Sequence, residues 1–350
     1  MRIGLIGLAG SGKTTCFEAL TGVPGRHGSP RDNVAVVTVP EPRLDRVADI
    51  YKSRKRTYPE ITFLDTPALE VGHGPAAVEK QLARLAHEAD ALALILQCFG
   101  ELDHNGRPLD PRGDLESLLL ELAIADLSLT ERWLERLRSQ PKKERSAYEE
   151  HFVERLRTHL QAGHPAFRLD MTPDEAKLLR GMSLITTKPL MVVANVADDD
   201  LEDQRGQAAM DFAASQGLPG LHFCATLEAE IAQLPSDEQL AFLQDYGLAE
   251  PARDRFIRTA YELLDVITFL TAGEREAHAW TIPRGLRAPE AAGKIHTDFG
   301  RGFIRAEVVA FADLDRYGSL AECRKHGVVR LEGREYVVQD GDILDIRFSR

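Results

Sequence analysis

Residues Gly7 to Thr14 read Gly-Leu-Ala-Gly-Ser-Gly-Lys-Thr, which is the phosphate-binding pattern GxxxxGK[ST]. An apolar run at residues 3–6 precedes this stretch, and helical spacing begins at Thr15, so a strand, a loop and a helix are expected in that order. Glycine lets backbone N–H groups approach phosphate oxygens closely. A chance glycine-rich turn is the alternative, but both flanks favour a phosphate-binding loop.

The residues of this loop that we expect to contact a nucleotide lie close together in the chain. Their backbone N–H groups and the helix N-terminus would surround the β- and γ-phosphates. Lys13 would neutralise phosphate charge and take part in catalysis, and Thr14 would supply a hydroxyl oxygen to a Mg²⁺ cofactor. The predicted nucleotide-binding residues here are Gly7, Ala9, Gly10, Ser11, Gly12, Lys13, Thr14 and Thr15.

The composition is that of an ordinary soluble protein, with 43% hydrophobic and 28% charged residues in a chain of 350. That length allows about two or three domains. The formal charge of −12 argues against a whole-protein affinity for nucleic acid, although a local basic groove remains compatible with it. The four cysteines are far apart and are expected to be buried thiols. Without an apolar stretch of about 18 residues or a signal peptide, we expect a cytoplasmic protein with no membrane partner.

Short apolar runs alternate with helical patterns through much of the chain, which predicts a doubly wound α/β domain with a mostly parallel sheet. The runs lie at residues 3–6, 34–39, 61–64, 91–97 and 190–194. Their near-continuous apolar character is typical of strands covered on both faces.

Two further parts are expected from changes in this pattern. Between Leu115 and Lys177, leucines recur at helical spacing, and an inserted helical hairpin with a coiled-coil-like seam is predicted. From near Ile267, short strands separated by turns predict a compact α+β module, with strands expected at 280–282, 328–331, 336–338 and 343–348. The predicted domains are 1–112 with 184–265, 113–183, and 266–350.

Polar residues at the ends of later strands extend the predicted site. Asp65 ends the 61–64 run, where it could hold the water shell of Mg²⁺. Asn195 and Asp198 have the separation of a guanine-binding NKxD motif, with Val196 in the place of its lysine; turn chemistry is the alternative. After another short strand, backbone N–H groups could contact the base at Cys224, Ala225 and Thr226.

This order of motifs resembles the Obg-like ATPase (YchF) family. The matches are densest at residues 288–299, 302–308 and 336–342, which are similar to the family's TGS domain, a β-grasp-like module. Residues 39–44 and 121–127 match as well, so the resemblance covers nearly the whole chain. It implies a P-loop NTPase with a G-domain-like fold, of the translation-factor class, which associates with ribosomes.

The resemblance also implies roles for individual residues. Leu69 matches the hydrophobic residue that the family carries in place of a catalytic glutamine. His104 is the nearest candidate for a family histidine proposed to act in hydrolysis, with a solvent-exposed loop residue as the alternative. The position of the switch threonine falls at Ser29, which could be a ligand of Mg²⁺.

The chain departs from the family pattern at catalytic and switching positions. Ala68 replaces the glycine of the family's Asp-x-x-Gly motif, and Thr226 replaces a lysine. Lys13, Thr14 and Asp65 are retained. Slow or altered hydrolysis with intact Mg–nucleotide binding is therefore predicted. The family's Pro-Asn-Val inside the loop is replaced by Ala9, Gly10 and Ser11.

The base preference stays open at this point. The resemblance implies ATP, whereas Asp198 is the acid that guanine-binding proteins use, so GTP is a close alternative. The expected function is a monomeric NTP-hydrolysing regulator that contacts the ribosome or RNA through its helical and TGS domains. The alternatives are a non-hydrolysing, nucleotide-gated binding module and, less favoured, a small-metabolite kinase. Some basic residues could meet phosphates, with ordinary solubilising surface charges as the alternative for each. They are Lys142, Lys143, Arg145, Arg284, Arg287, Lys294, Arg301 and Arg305.

Overall fold

A computed structural model describes residues 1–29, 32–69, 75–141, 146–202 and 204–349 of the chain. Its strands, in chain order, are β1 (Arg2–Gly7), β2 (Asn33–Thr38), β3 (Lys55–Thr57), β4 (Glu60–Asp65), β5 (Ala91–Cys98), β6 (Leu190–Val196), β7 (Gly220–Phe223), β8 (Val266–Ala272), β9 (Glu276–Pro283), β10 (Phe303–Ala310), β11 (Arg330–Glu332) and β12 (Asp342–Phe348). Its helices, in chain order, are α1 (Lys13–Thr21), α2 (Pro42–Tyr51), α3 (Pro75–Glu88), α4 (Pro111–Ser139), α5 (Ala147–Gln161), α6 (Pro173–Arg180), α7 (Gln207–Ser215), α8 (Ala225–Gln233), α9 (Ser236–Asp245), α10 (Ala252–Leu263), α11 (Ala288–Ile295), α12 (Thr297–Arg301), α13 (Phe311–Tyr317) and α14 (Leu320–Lys325).

The first sheet has the strand order β2-β4-β1-β5-β6-β7. Strand β1 is parallel to β4 and β5, and β6 is parallel to β5 and β7. Every residue of β5 and β6 is buried, as expected for strands covered on both faces. The predicted doubly wound, mostly parallel α/β domain is therefore confirmed.

Parallel pairing brings the functional motifs to one edge of this sheet. Leu5 of β1 is in register with Asp65 of β4, and Asn195 of β6 is in register with Phe223 of β7. Because the carboxyl ends of parallel strands meet at one edge, the loop after β1 lies beside the ends of β4 and β6.

Helices α4 and α5 form the predicted helical hairpin. The residues spaced four apart on α5, Phe152, Leu156 and Leu160, are all buried in a cluster with residues of α4. This confirms the predicted apolar seam. The basic residues expected at the hairpin tip, Lys142, Lys143 and Arg145, lie outside the described residues.

A buried carboxylate joins this hairpin to the segment that follows it. Asp126 of α4 accepts hydrogen bonds from the backbone N–H groups of Ile185 and Thr186, both at 2.8 Å, and from the Thr186 hydroxyl. Burial raises the pKa of Asp126 to about 6 even though these hydrogen bonds oppose the shift.

Contacts within the chain divide it into two compact units, Met1–Val36 with Thr62–Leu263 and Val37–Ile61 with Leu264–Arg350. The helical residues 113–183 thus lie within the first unit.

The second unit includes a segment that the predicted boundaries assign to the nucleotide-binding domain, residues 37–61. The segment belongs there because β3 is parallel to β9, and because apolar residues of α2 pack in a cluster with residues of β8 and β9. Those residues of α2 are Leu44, Val47 and Ala48.

The second sheet has the order β11-β10-β12-β8-β9-β3, and α11 packs against its strands β9 and β10. This is the expected α+β module, but the strand predicted at 336–338 is wrong. The backbone there pairs with a loop instead: Ala288 N–H donates to the Tyr336 carbonyl and Val338 N–H donates to the Leu286 carbonyl.

All four cysteines are buried, as predicted. In the part of the chain that the structure describes, no helix combines the length and apolar character needed to cross a membrane.

Candidate nucleotide-binding site

The loop between β1 and α1 depends on glycine at two positions. Gly10 and Gly12 have φ angles of 82° and 76°, in the left-handed region that side chains disfavour. A Cβ on Gly12 would lie 2.2 Å from the Asn195 Nδ2 atom, so no other residue fits there without moving Asn195. Because Gly12 has no side chain to cap α1, the first N–H groups of the helix are left for a ligand.

The loop lines a cleft of about 610 Å³. The lining consists of residues 8–15, 26–29, 33 and 65–68. It therefore contains the predicted loop residues from Ala9 to Thr15 and the predicted metal ligands Thr14, Ser29 and Asp65. Gly7 lies outside this lining. A Cβ there would come within 2.8 Å of the Ile95 carbonyl oxygen, so the absence of a side chain at Gly7 allows β1 to pack closely against β5.

Asp65 is the centre of the polar contacts in this cleft. Lys13 Nζ donates to its Oδ1 atom at 2.9 Å, and the Thr14 hydroxyl donates to Oδ2, also at 2.9 Å. Lys13 and Asp65 are 7% and 3% exposed, so the ion pair is nearly dry. The Asn33 side-chain amide donates to the same Oδ2 atom at 2.8 Å. Sequence reasoning brought together the first three residues and missed Asn33.

These oxygens suit Mg²⁺, which takes few protein ligands and usually shares the phosphates of its substrate. The Thr14 hydroxyl and the Asp65 carboxylate provide one neutral and one charged oxygen, already within hydrogen-bond distance of each other. Across the described ranges, no group of three or more His, Cys, Asp or Glu side chains could hold a metal by itself. The donor set therefore fits an ion that binds together with a nucleotide.

Asn195 links the phosphate loop to the start of α8, which follows the edge strand β7. It is 4% exposed; its amide donates to the Ser11 carbonyl at 3.1 Å, and its carbonyl accepts the Ala225 N–H at 3.1 Å. The motif spacing located this residue, but its contacts are with the protein backbone. Asn195 thus braces the phosphate loop against the start of α8.

The other residues predicted to contact the base differ in exposure. Asp198 and Thr226 are exposed, and the Thr226 hydroxyl lies 3.2 Å from Cys224 Sγ. Val196 and Ala225 are buried in the core, so they could meet a ligand only through their backbone.

His104 lies beside Gly10 of the phosphate loop. A Cβ on Gly10 would be 3.0 Å from the His104 Cβ, so the two backbones pass close together while the imidazole is exposed. A second cavity of about 870 Å³ is lined by His104 together with Leu8, Ala9 and Leu69, among other residues. The candidate histidine and the phosphate loop therefore share one space.

The turn that carries His104 is held by polar contacts. Asp103 Oδ1 accepts the N–H groups of Asn105 and Arg107 at 2.8 Å, and the Arg107 N–H is the main cause that lowers the pKa of Asp103. The buried Gln97 amide donates to the Phe99 carbonyl at 3.2 Å. These contacts fix the backbone on both sides of His104.

Leu69 occupies the position where other P-loop NTPases carry a catalytic glutamine, and its side chain has no polar group. It is 2% exposed, packs in the main core, and donates its N–H to the Gly7 carbonyl at 3.1 Å. Its side chain therefore serves packing.

These features define a P-loop nucleotide-binding protein. A glycine-rich loop follows a central parallel strand, and its lysine and threonine donate hydrogen bonds to the aspartate of the neighbouring strand. Residues 266–349 match the family model YchF-GTPase_C, described as a protein of unknown function (DUF933). A Pasteurella multocida protein named ribosome-binding ATPase YchF is 37% identical over 360 residues, covering 99% of each chain. Its Bacillus subtilis counterpart of the same name is 34% identical over 361 residues, covering 99% of this chain and 98% of that one.

The whole fold is similar to a solved structure as well. The Schizosaccharomyces pombe YchF GTPase superposes with a TM-score of 0.84 at 26% identity, covering 99% of this chain and 97% of that chain. The chain belongs to the YchF family.

Proposed function

We propose that this chain is a Mg²⁺-dependent P-loop NTPase that hydrolyses ATP, with GTP as the alternative substrate, and acts in the cytoplasm as a ribosome- or RNA-associated regulator. The observation that carries the proposal is the convergence of Lys13 and Thr14 on the buried Asp65 inside the cleft. The names of the bacterial relatives, which describe ribosome-binding ATPases, support ATP and the ribosome.

Each residue of the cleft has a distinct task in this proposal. Lys13 and the first N–H groups of α1 bind the β- and γ-phosphates, while Thr14 and Asp65 hold Mg²⁺, with Ser29 as a further ligand. When bound, Mg²⁺ neutralises the charge that develops on the phosphates. Asp198, Thr226 and the backbone near Ala225 face the base.

His104 is the candidate to orient the attacking water. It shares the 870 Å³ cavity with Ala9, on the flank of the phosphate loop, and an imidazole can accept a proton near neutral pH. Leu69 cannot take this role, because its side chain is apolar and buried.

A second candidate function is a nucleotide-gated binding module without appreciable hydrolysis. The observation in its favour is again Leu69, whose buried side chain leaves no polar group at the usual glutamine position. Ala68, in place of the family's glycine, points the same way because its Cβ restricts backbone rotation.

Calorimetric titration of ATP and GTP in the presence of Mg²⁺ tests the binding part of the proposal. Wild-type protein should bind one nucleotide more tightly, and Lys13→Ala should weaken that binding by more than about 100-fold, because it removes the cation and leaves Asp65 buried without it. Asp198→Glu should shift the preference towards ATP. Equal binding by wild type and Lys13→Ala would contradict the proposal.

Single-turnover release of γ-phosphate separates the two candidate functions. His104→Ala should slow release by about 100-fold, the usual contribution of a general base, and leave nucleotide affinity unchanged. Asn105→Ala is the matched control, because it alters the next residue of the same turn but keeps the backbone N–H that Asp103 accepts. No release from wild-type protein would favour the non-hydrolysing module.

Ribosome co-sedimentation in each nucleotide state tests the partner. Arg284 and Arg287 are paired with Asp265 and Glu335, so they are weaker candidates for phosphate contact. The exposed basic residues to replace together are Lys294, Arg301 and Arg305. Their loss should weaken co-sedimentation and reduce its salt dependence if they meet RNA phosphates.

A further inference from the structure

We propose that Asn33, the first residue of β2, is a positioning residue of the magnesium site. It would orient the Asp65 carboxylate for Mg²⁺ and tie that carboxylate to the segment of residues 25–29. This inference rests on the proposed function, because it requires that Mg²⁺ and a nucleotide bind in the cleft.

The first contact of Asn33 is with the carboxylate itself. Its amide donates to Asp65 Oδ2 at 2.8 Å, the same oxygen that accepts the Thr14 hydroxyl at 2.9 Å. Lys13 contacts the other oxygen, Oδ1, at 2.9 Å. With donors on both oxygens, the plane of the carboxylate is fixed, and Asn33 supplies the donor that comes from outside the phosphate loop.

The second contact of Asn33 is with the segment of residues 25–29. The carbonyl oxygen of its side chain accepts the Arg26 N–H at 3.0 Å. A single amide group therefore uses its donor on Asp65 and its acceptor on the backbone of this segment. Only an amide of this length offers both functions without charge.

The segment lies close to the metal-binding residues. A Cβ on Gly25 would come within 2.5 Å of Thr14 Cγ2, which shows how tightly the backbone passes the predicted ligand. The Gly25 N–H also donates to Glu18 Oε1 at 2.8 Å, and His27 Nε2 lies 3.2 Å from the same oxygen. The segment is thus held to α1 at one point and to Asn33 at another.

The start of β2 is anchored on its other side. Asp32 Oδ2 lies 2.5 Å from Arg84 Nη2 of α3, and this pairing raises the pKa of Arg84. The chain at Asn33 is therefore fixed by a neighbouring ion pair. A substitution at Asn33 should remove its two hydrogen bonds and leave the strand in place.

Loss of Asn33 should show itself in the requirement for Mg²⁺. One hydrogen bond to a charged group corresponds to about a tenfold change in an equilibrium constant. Asn33→Ala should therefore raise the Mg²⁺ concentration for half-maximal nucleotide binding by about tenfold. Nucleotide affinity in EDTA should change less than about twofold, because Lys13 and the loop backbone are intact.

The test is a titration of a fluorescent ATP analogue at a series of MgCl₂ concentrations, with urea unfolding to check the fold. Val34→Ala is the matched control: it shortens an exposed side chain at the next position of β2, outside the cleft lining, so its Mg²⁺ requirement should equal that of wild type. Hydrogen exchange of residues 25–29 gives a second readout, and its slowing on addition of Mg²⁺ and nucleotide should be lost in Asn33→Ala.

The outcomes are separable. An Asn33→Ala protein with the wild-type Mg²⁺ requirement, or with an equal loss of affinity in Mg²⁺ and in EDTA, overturns the role of Asn33 and leaves the proposed function standing. A wild-type protein with no saturable nucleotide signal at any Mg²⁺ concentration overturns the proposed function and this inference with it.

Discussion

Replacing Gly12 with alanine should damage the site through a defined collision. The new Cβ would lie 2.2 Å from Asn195 Nδ2, far inside contact distance, and the backbone would keep a φ of 76° that alanine disfavours. Asn195 would have to move, and its hydrogen bonds to the Ser11 carbonyl and the Ala225 N–H, both at 3.1 Å, would be lost.

The size of the effect follows from these contacts. The left-handed conformation costs about 1 kcal/mol for alanine. Each of the two buried hydrogen bonds contributes about 1 kcal/mol. The free energy of unfolding of Gly12→Ala should thus fall by about 3 kcal/mol. Gly22 at the other end of α1 has a φ of 67° and no atom within 4 Å of its would-be Cβ, so Gly22→Ala should lose only the conformational part, about 1 kcal/mol.

Urea unfolding of the two variants measures the difference, which should be about 2 kcal/mol. Asn195→Ala in the Gly12→Ala background removes the colliding amide, so the double variant should be more stable than the sum of the single effects implies. If Gly12→Ala is no less stable than Gly22→Ala, or if the effects of Gly12→Ala and Asn195→Ala add without coupling, the predicted collision between residue 12 and Asn195 does not occur.

Three further outcomes are expected. The folded pKa of Asp126, about 6, lies above the unfolded value near 3.9, so the folded state binds the extra proton. The free energy of unfolding should therefore rise by up to about 3 kcal/mol as the pH falls from well above 6 to below 4, measured as the difference between wild-type and Asp126→Asn urea profiles. Burial lowers the pKa of His278, which stacks on Trp280, so its contribution to stability is present above pH about 6.5 and lost below it; its NMR titration midpoint should lie below that pH, and His278→Phe should remove this pH dependence. Asp103→Ala should speed amide exchange at residues 101–109 and leave the urea midpoint unchanged, because the contacts it removes are local to the His104 turn.

The elements that sequence reasoning predicted well are those with strong local patterns. The phosphate loop has a fixed spacing and both expected flanks, and the buried strands β5 and β6 are continuous apolar runs. Thr14 and Asp65 were both predicted as Mg²⁺ ligands because an acid at the end of a later strand commonly accompanies a phosphate loop. The structure brings them and Lys13 together.

The features that were missed depend on long-range contacts. Asn33 carries no local signal, because its partner Asp65 lies on another strand of the sheet. Strand β3 is three polar residues long, and only its pairing with β9 reveals it. The segment at 336–338 has strong strand propensity, yet its backbone is satisfied by the 286–288 loop.

For Asn195, the sequence predicted the position but not the contacts of the side chain. Motif spacing located it correctly at the end of β6, but the spacing says nothing about the atoms its side chain meets. Its burial and its two backbone partners give it a bracing role that only the folded chain reveals.

The grouping of residues 37–61 with the C-terminal half has a practical consequence for dissecting this protein. A truncation after Leu263 would delete β8 and β9 but keep α2, so Leu44, Val47 and Ala48 would lose the apolar partners that bury them. The exposed segment would begin just after Asn33 and end just before Asp65. The shortened protein could lose nucleotide binding or association with a partner for either of two reasons, damage at the phosphate site or loss of the C-terminal residues. Such a defect would therefore not identify the role of the C-terminal residues. Point substitutions on the surface of the C-terminal half are the sounder way to assign its role.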